Sequence, residues 1–233
     1  MRLFQIPFSH NCVKVRHVLD LKGLEYDAVN INPLLRGEVK RLSGQMLVPM
    51  LIDRGRVVSD STPILLYIEE HHPDPPLLPA DLEERAECIV LMDWADATFM
   101  ALTRRLAYFQ VVSAPATMGE LFFPQMPAGA RRAAGSVAAQ AVRIRIRISP
   151  ERNVRDEELA RRAARIVVQR LGGADHLVGG QLTLADITLA AMAAPLQYTP
   201  LREDPDVRTL LQWGAVVLGT DFSPLEVPAP AAA

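Results

Sequence analysis

Two cysteines in 233 residues leave no basis for a disulfide framework. No apolar run reaches the roughly 18 residues that a membrane span needs. The first residues carry neither a basic segment nor a long apolar one, so no secretion signal is expected. A net charge of −2 gives no electrostatic footprint for nucleic acid. Arginines are frequent but interleave with acids, which reads as solvated helix faces. No internal repeat is visible. These absences point to a soluble cytoplasmic protein with no nucleic-acid or membrane partner.

What is present is enough apolar material, 49% of residues, for one large domain or two modest ones. The first 80 residues alternate between two periodicities. Residues 3–6 read as a strand and 13–22 as a helix with Cys12, Val15, Val18 and Leu19 on one face. Residues 26–31 read as a second strand, and 32–47 as a loop with room for a short helix. Residues 50–52 and 57–58 read as a hairpin joined by Asp53-Arg54-Gly55-Arg56. Ser61 and Thr62 are placed to cap a helix running to about His71, with Pro63 suited to its first position. The segment 73–81 is too proline-rich to be helical and reads as a linker.

Beyond it the pattern turns helical. Ala86, Val90, Trp94, Ala97 and Ala101 form one stripe of a long helix, which prolines and Gly119 break over 113–127. A further helix starts near Ala128. Residues 142–148 alternate with period two, but nothing nearby offers a strand partner, so helix is the expectation. Helices are also expected over 156–171, with Leu159, Ala163, Ile166 and Val167 inward, over 183–194 and over 205–218. The Pro/Ala-rich residues 223–233 are expected to fray. The expected architecture is therefore an α/β domain over 1–72, the linker, and an all-α bundle over 82–222.

Two local patterns stand out. Ser9-His10-Asn11-Cys12 sits where a strand turns into a helix. The free N–H groups and the positive end of the helix favour an anion there, although Ser9 as a plain helix cap fits the same residues. Thr183-Leu184-Ala185-Asp186, flanked by Leu182 and Ile187, is a capping box, which serves folding rather than chemistry.

Taken together, four landmarks resemble the glutathione transferase superfamily: Ser9-x-x-Cys12 after the first strand, Val48-Pro49 before the third, Asp60-Ser61 before the third helix, and the 182–187 box. The resemblance implies a thioredoxin-like N-terminal domain, an all-helical C-terminal domain, a homodimer, and glutathione as cosubstrate, with no metal. It implies that Ser9 donates to the glutathione sulfur, with His10 or Asn11 as a second donor. A thiol pKa near 8.5 would have to fall by about 2 units, roughly 2.7 kcal/mol, within reach of one charge-assisted hydrogen bond and a helix dipole.

Cys12 takes the second cysteine position of a glutaredoxin-type pair whose first, attacking cysteine is absent. This argues against disulfide exchange and for a small apolar role. The resemblance further implies a cis Val48-Pro49 bond beside the cysteinyl backbone of glutathione. Asp60 would take the γ-glutamyl ammonium and Ser61 its carboxylate, while Lys40, Arg41 or Gln45 would take the glycyl carboxylate. Met46-Leu47 is extra length relative to the family pattern. A small apolar electrophile would meet Phe8, Met100, Arg104 and Tyr108, so conjugation is the expected activity. A glutathione-dependent isomerase, a thiol reductase, and a non-catalytic binding protein on the same fold are the alternatives.

Overall fold

The computed structural model describes residues 1–33, 35–123 and 125–220, so the fraying expected over 223–233 lies outside the described residues. In chain order the elements are β1 Arg2–Gln5, α1 His10–Leu21, β2 Asp27–Asn30, α2 Gly37–Ser43, β3 Met50–Asp53, β4 Arg56–Ser59, α3 Ser61–His71 and α4 Leu82–Trp94. A π-helical turn, Ala95–Phe99, follows. After it come α5 Met100–Val112, α6 Pro115–Phe122, α7 Ala128–Arg145, α8 Pro150–Leu171, α9 Leu184–Ala193, two 3₁₀ turns, and α10 Pro205–Leu218. The chain forms two compact units. The first holds Met1–Ala95 and Ala174–Met192 and includes the proline-rich 73–81; the second holds Asp96–Gly173 and the chain from Ala193 on.

The first unit is built on a mixed sheet of order β2-β1-β3-β4. β1 runs parallel to β2 and antiparallel to β3, and β3 runs antiparallel to β4. β1 is central and both its faces are covered, with Leu3 and Phe4 fully buried. Phe4 packs with Met50 and with Val39 of α2. Cys12, Val15, Val18 and Leu19 are the buried apolar residues of α1, the face expected from their spacing. Asp60, not Ser61 or Thr62, caps α3, its carboxylate accepting from the Ser61 N–H at 2.7 Å. Pro63 is therefore the third helical residue and not the first.

Two polar groups lock this unit. Lys22, at the end of α1, is a buried ammonium that meets Glu69 of α3 at 2.6 Å. It also donates to the carbonyls of His72 and Pro75, at 2.8 and 2.7 Å, pinning a segment that contains a cis Asp74-Pro75 bond. Asp186, fully buried in α9, accepts from the N–H and hydroxyl of Thr183 at 2.8 and 2.7 Å and from the Leu177 N–H at 2.7 Å. Leu184 in turn donates to the Leu77 carbonyl. The box expected from sequence thus holds the whole 177–186 segment and not only a helix end.

In the second unit every described element is helical. Four expectations need correction here and in α4. The stripe Ala86–Val90–Ala97 is exposed; Cys88, Met92, Ala95 and Phe99 are buried instead. Residues 113–127 are not simply a break, because α6 forms within them. Its glycine is required: a Cβ on Gly119 would come within 2.5 Å of the Arg131 carbonyl of α7. In α8 the inward set is Asp156, Ala160, Ala164, Val167 and Leu171, so that Leu159 and Ile166 face solvent. The small alanines and the Asp156 carboxylate define that face. Asp156 receives both guanidinium arms of Arg105, at 2.6 and 2.9 Å. Residues 142–148 are helical as far as Arg145. Arg147 then takes a left-handed conformation, φ 55°, and Ile148 N–H closes back on the Arg143 carbonyl.

Replacing Asp186 with Ala leaves the buried N–H groups of Leu177 and Thr183 without their acceptor. Urea unfolding should show a loss of about 3 kcal/mol, and a smaller loss for Asp186→Asn, which keeps one acceptor oxygen.

Candidate functional site

The strand directions of the sheet decide where the site residues go. Because β3 is antiparallel to both neighbours, the end of β1, the start of β3 and the end of β4 lie at the same edge. The segments that follow or precede them there are the Ser9 turn, Val48-Pro49 and Asp60-Ser61. Met50 faces Ser59 across the hairpin, and the Asp60 N–H donates to the Pro49 carbonyl at 3.2 Å. Lys14, buried on α1, reaches the Thr62 hydroxyl at 3.4 Å and so ties the helix after Ser9 to the first turn of α3.

Ser9 is extended, φ −76° and ψ 120°, and its backbone closes both ends of the turn. Its N–H donates to Ile6, and its carbonyl accepts from Cys12 and Val13 at 2.8 Å. Its side chain makes no capping bond to α1. The hydroxyl of a residue at a helix-cap position is therefore not spent on the backbone N–H groups of the helix. It reaches the Cys12 thiol, a weak partner. His10 and Asn11 open α1, at the positive end of its dipole. Phe8 stands before them, 46% exposed.

Cys12 is fully buried, and burial raises its thiol above the ordinary value; hydrogen bonds from Ile6 and Ser9 work against that without reversing it. It is a neutral core thiol.

Val48-Pro49 is cis. Val48 is half-buried, and neither its N–H nor its carbonyl bonds to another group among the described residues. Unpaired backbone next to a strand end is what an added peptide strand can pair with, so these free groups suit a peptide ligand such as glutathione. Asp60 has φ 76° and ψ 147°, a conformation costly for any residue with a side chain. Such strain persists where the surrounding structure imposes it, here the cap on α3 and the bond to Pro49. Ser61 is buried beside it. Asp60 and Ser61 fit the two ends of an α-amino acid head group, and the α3 N-terminus adds N–H donors.

Lys40 and Arg41 are exposed on α2. Gln45 follows the left-handed Gly44 and is held by Ser43, whose hydroxyl bonds to both its N–H and its carbonyl. The extra Met46-Leu47 is braced by Arg36, which donates to the Pro33 and Met46 carbonyls at 2.8 and 3.0 Å. Sequence reasoning missed Arg36, Lys14 and Arg16. Arg16 holds the Ser9 turn from α1, donating to the Pro7 carbonyl at 3.0 Å and to the Gln5 side chain, which in turn holds Asn30. A cation one or two turns into a helix carries no local signal of this kind.

Met100, Arg104 and Tyr108 lie on α5 of the second unit, each half-buried. Tyr108 packs against the cluster of Val112, Met118, Phe122, Ala138 and Ala139. Arg104 Nε is buried with no hydrogen-bond partner among the described residues. Burial lowers the Arg104 guanidinium from its ordinary value, with nearby Tyr108 opposing. No cluster of His, Cys, Asp and Glu able to hold a metal occurs among the described residues, and no described helix is long and apolar enough to cross a membrane.

Residues 3–76 match the family described as glutathione S-transferase, N-terminal domain. Glutathione S-transferase Z1 of Arabidopsis thaliana is 42% identical over 91 residues, covering 37% of this chain and 41% of that protein. Maleylacetoacetate isomerase of Pseudomonas aeruginosa is 36% identical over 93 residues, covering 37% and 44%. The matched region thus spans about two fifths of the length of these curated relatives. The fold similarity extends further. The β-etherase LigF of Sphingobium sp. strain SYK-6 superposes with a TM-score of 0.71 at 22% identity, over 94% of this chain and 96% of that one. By sequence over residues 3–76 the chain is similar to the N-terminal domain of glutathione S-transferases, and the fold is matched along nearly its whole length.

Proposed function

We propose that this chain is a cytoplasmic, glutathione-dependent isomerase that interconverts the cis and trans forms of a small unsaturated dicarboxylic acid conjugated to a carbonyl. The observation that carries the reading is the Ser9 hydroxyl at the head of α1, which caps no helix N–H and meets only the weak Cys12 thiol, at the same sheet edge as Val48-Pro49 and Asp60-Ser61. The choice of isomerisation is supported by the relatives, which include enzymes named as maleylacetoacetate isomerases and one named maleylpyruvate isomerase. Conjugation to an apolar electrophile is the second reading. It needs the same thiolate and is favoured by relatives named as transferases.

Bound glutathione supplies a thiolate that adds reversibly to an activated double bond and leaves after rotation about it, with no net oxidation. The residues of this chain make that thiolate available. Ser9 donates its hydroxyl proton as a hydrogen bond to the sulfur, and the α1 N-terminus adds its dipole. Ser9 does not remove a proton, since its own hydroxyl is far too weak a base. Val48 aligns the ligand backbone, Asp60 and Ser61 hold the γ-glutamyl end, and Lys40 or Gln45 takes the glycyl carboxylate. Thiol reduction is disfavoured, because the chain has no cysteine at position 9 and Cys12 is a buried neutral thiol.

Isomer interconversion with a trace of glutathione separates the readings. An isomerase turns over many equivalents of substrate per glutathione, whereas a transferase consumes one glutathione per product. No binding of glutathione by calorimetry would sink both and leave a non-catalytic scaffold. Ser9→Ala should cut turnover by about ten-fold or more at neutral pH with glutathione affinity nearly unchanged. Cys12→Ala should leave turnover within a factor of about two, and iodoacetamide at mildly alkaline pH should label Cys12 only after denaturation, because its thiol is raised and shielded. We also read the chain as a homodimer that buries the apolar outer face of α4, where Val90 is 64% exposed. Val90→Glu should then shift the sedimentation coefficient to that of a monomer.

A further inference from the structure

The charge of this protein is unevenly spread. Residues 128–155 contain seven arginines (131, 132, 143, 145, 147, 152 and 155) and one acid, Glu151, a local balance of +6 in a chain of −2. The expected interleaving of arginines with acids fails in this one stretch. Elsewhere in the same unit arginines do find acids: Arg105 pairs with Asp156, Arg161 and Arg162 with Glu157 and Glu158, and Arg165 with Asp206. None of the seven pairs with a carboxylate among the described residues.

The arrangement on α7 is specific. Its inner face is Gly135, Ala138, Ala139 and Val142, packed on the cluster around Met118 and Phe122. Its outer face repeats Ala133, Val137, Gln140 and Ile144, spaced four, three and four residues apart, which is one stripe of a helix. Val137 is 73% and Ile144 69% exposed, and Ala133 and Gln140 are exposed as well. At about 100° per residue, Arg132 and Arg143 fall on one flank of this stripe and Arg145 on the other. A helix already packed on one side therefore presents a second apolar stripe outward, with cations on both flanks.

We propose that the outer face of α7 docks an acidic amphipathic helix of a partner protein. The apolar stripe of that helix lies on Val137 and Ile144, and its carboxylates meet Arg132, Arg143 and Arg145. The charge pattern selects this occupant over others. A nucleic acid track would place cations or aromatic rings at the centre of the face, where this one has Val137 and Ile144. A membrane-surface helix inserts its broad apolar face, and that face of α7 is already committed to the core. Two copies meeting through this same stripe would set arginine against arginine. The surface is independent of the glutathione reading, so the two stand or fall separately.

The test is fluorescence anisotropy with the full chain and a labelled synthetic helix of Glu and Leu, with Leu in one stripe. The expected result is saturable binding that weakens with salt and falls about ten-fold or more in the Arg132→Glu/Arg143→Glu protein. Val137→Ser/Ile144→Ser, which keeps every charge, should weaken binding several-fold. All four positions are solvent-facing, and unchanged urea midpoints establish that the variants fold. Equal binding of a Glu/Ser peptide would reduce the surface to a general polyanion site and overturn the proposal. So would absence of peptide binding. It would equally be overturned if these variants instead abolished self-association, capture by phosphatidylglycerol vesicles, or oligonucleotide binding.

Discussion

The direction of β3 governs what this protein can do. Had it run parallel to β1, as β2 does, Val48-Pro49 would open at the opposite edge from Ser9. Running antiparallel to both neighbours, it gathers three short backbone segments from distant parts of the chain at one edge. Each contributes something elementary: a helix terminus with a hydroxyl held only by a thiol, an unpaired stretch of backbone, and an acidic cap beside a buried serine. The Asp60 N–H to Pro49 carbonyl bond joins two of them directly, and Lys14 joins the third through Thr62. Asp60 sits in a disfavoured conformation because it serves both the helix it caps and the strand end it pairs with.

That arrangement was readable in the first 72 residues because period-two and period-3.6 patterns alternate cleanly there, and because turns and caps use residues with strong local preferences. Asp53-Arg54-Gly55-Arg56 turns as its composition says. Cys12, Val15, Val18 and Leu19 bury as their spacing says. The residues that brace the site were not readable. Lys14 acts on a hydroxyl far along the chain, and Arg16 and Arg36 act on nearby loop carbonyls, and neither kind of partner has a pattern to betray it.

The helical half was read well for helix positions and poorly for helix faces. The reason lies in side-chain size. The buried faces of α7 and α8 are made by Gly135, Ala138, Ala139, Ala160 and Ala164, while Val137, Ile144, Leu159 and Ile166 face water. A search for the largest apolar residues picks the outer face. Close helix approach favours small residues, as Gly119 against the Arg131 carbonyl makes concrete. Asp156 deepens the misreading, because a carboxylate bound by both arms of Arg105 occupies an inward position that patterning gives to an apolar residue.

The two halves of the chain are therefore constrained in different ways. The proposed thiolate site needs a helix terminus, one hydroxyl and one free stretch of backbone, and these are fixed by strand order and a few caps. Sequence similarity over residues 3–76 follows from that, since each landmark is tied to a backbone requirement. A helical unit packed through small residues meets its folding requirement on one face of each helix only. Its outer faces are free to acquire other properties, and on α7 they carry an apolar stripe between arginines that the core does not need. Folding alone places no demand on such a face, and the proposed acidic partner helix accounts for its regularity.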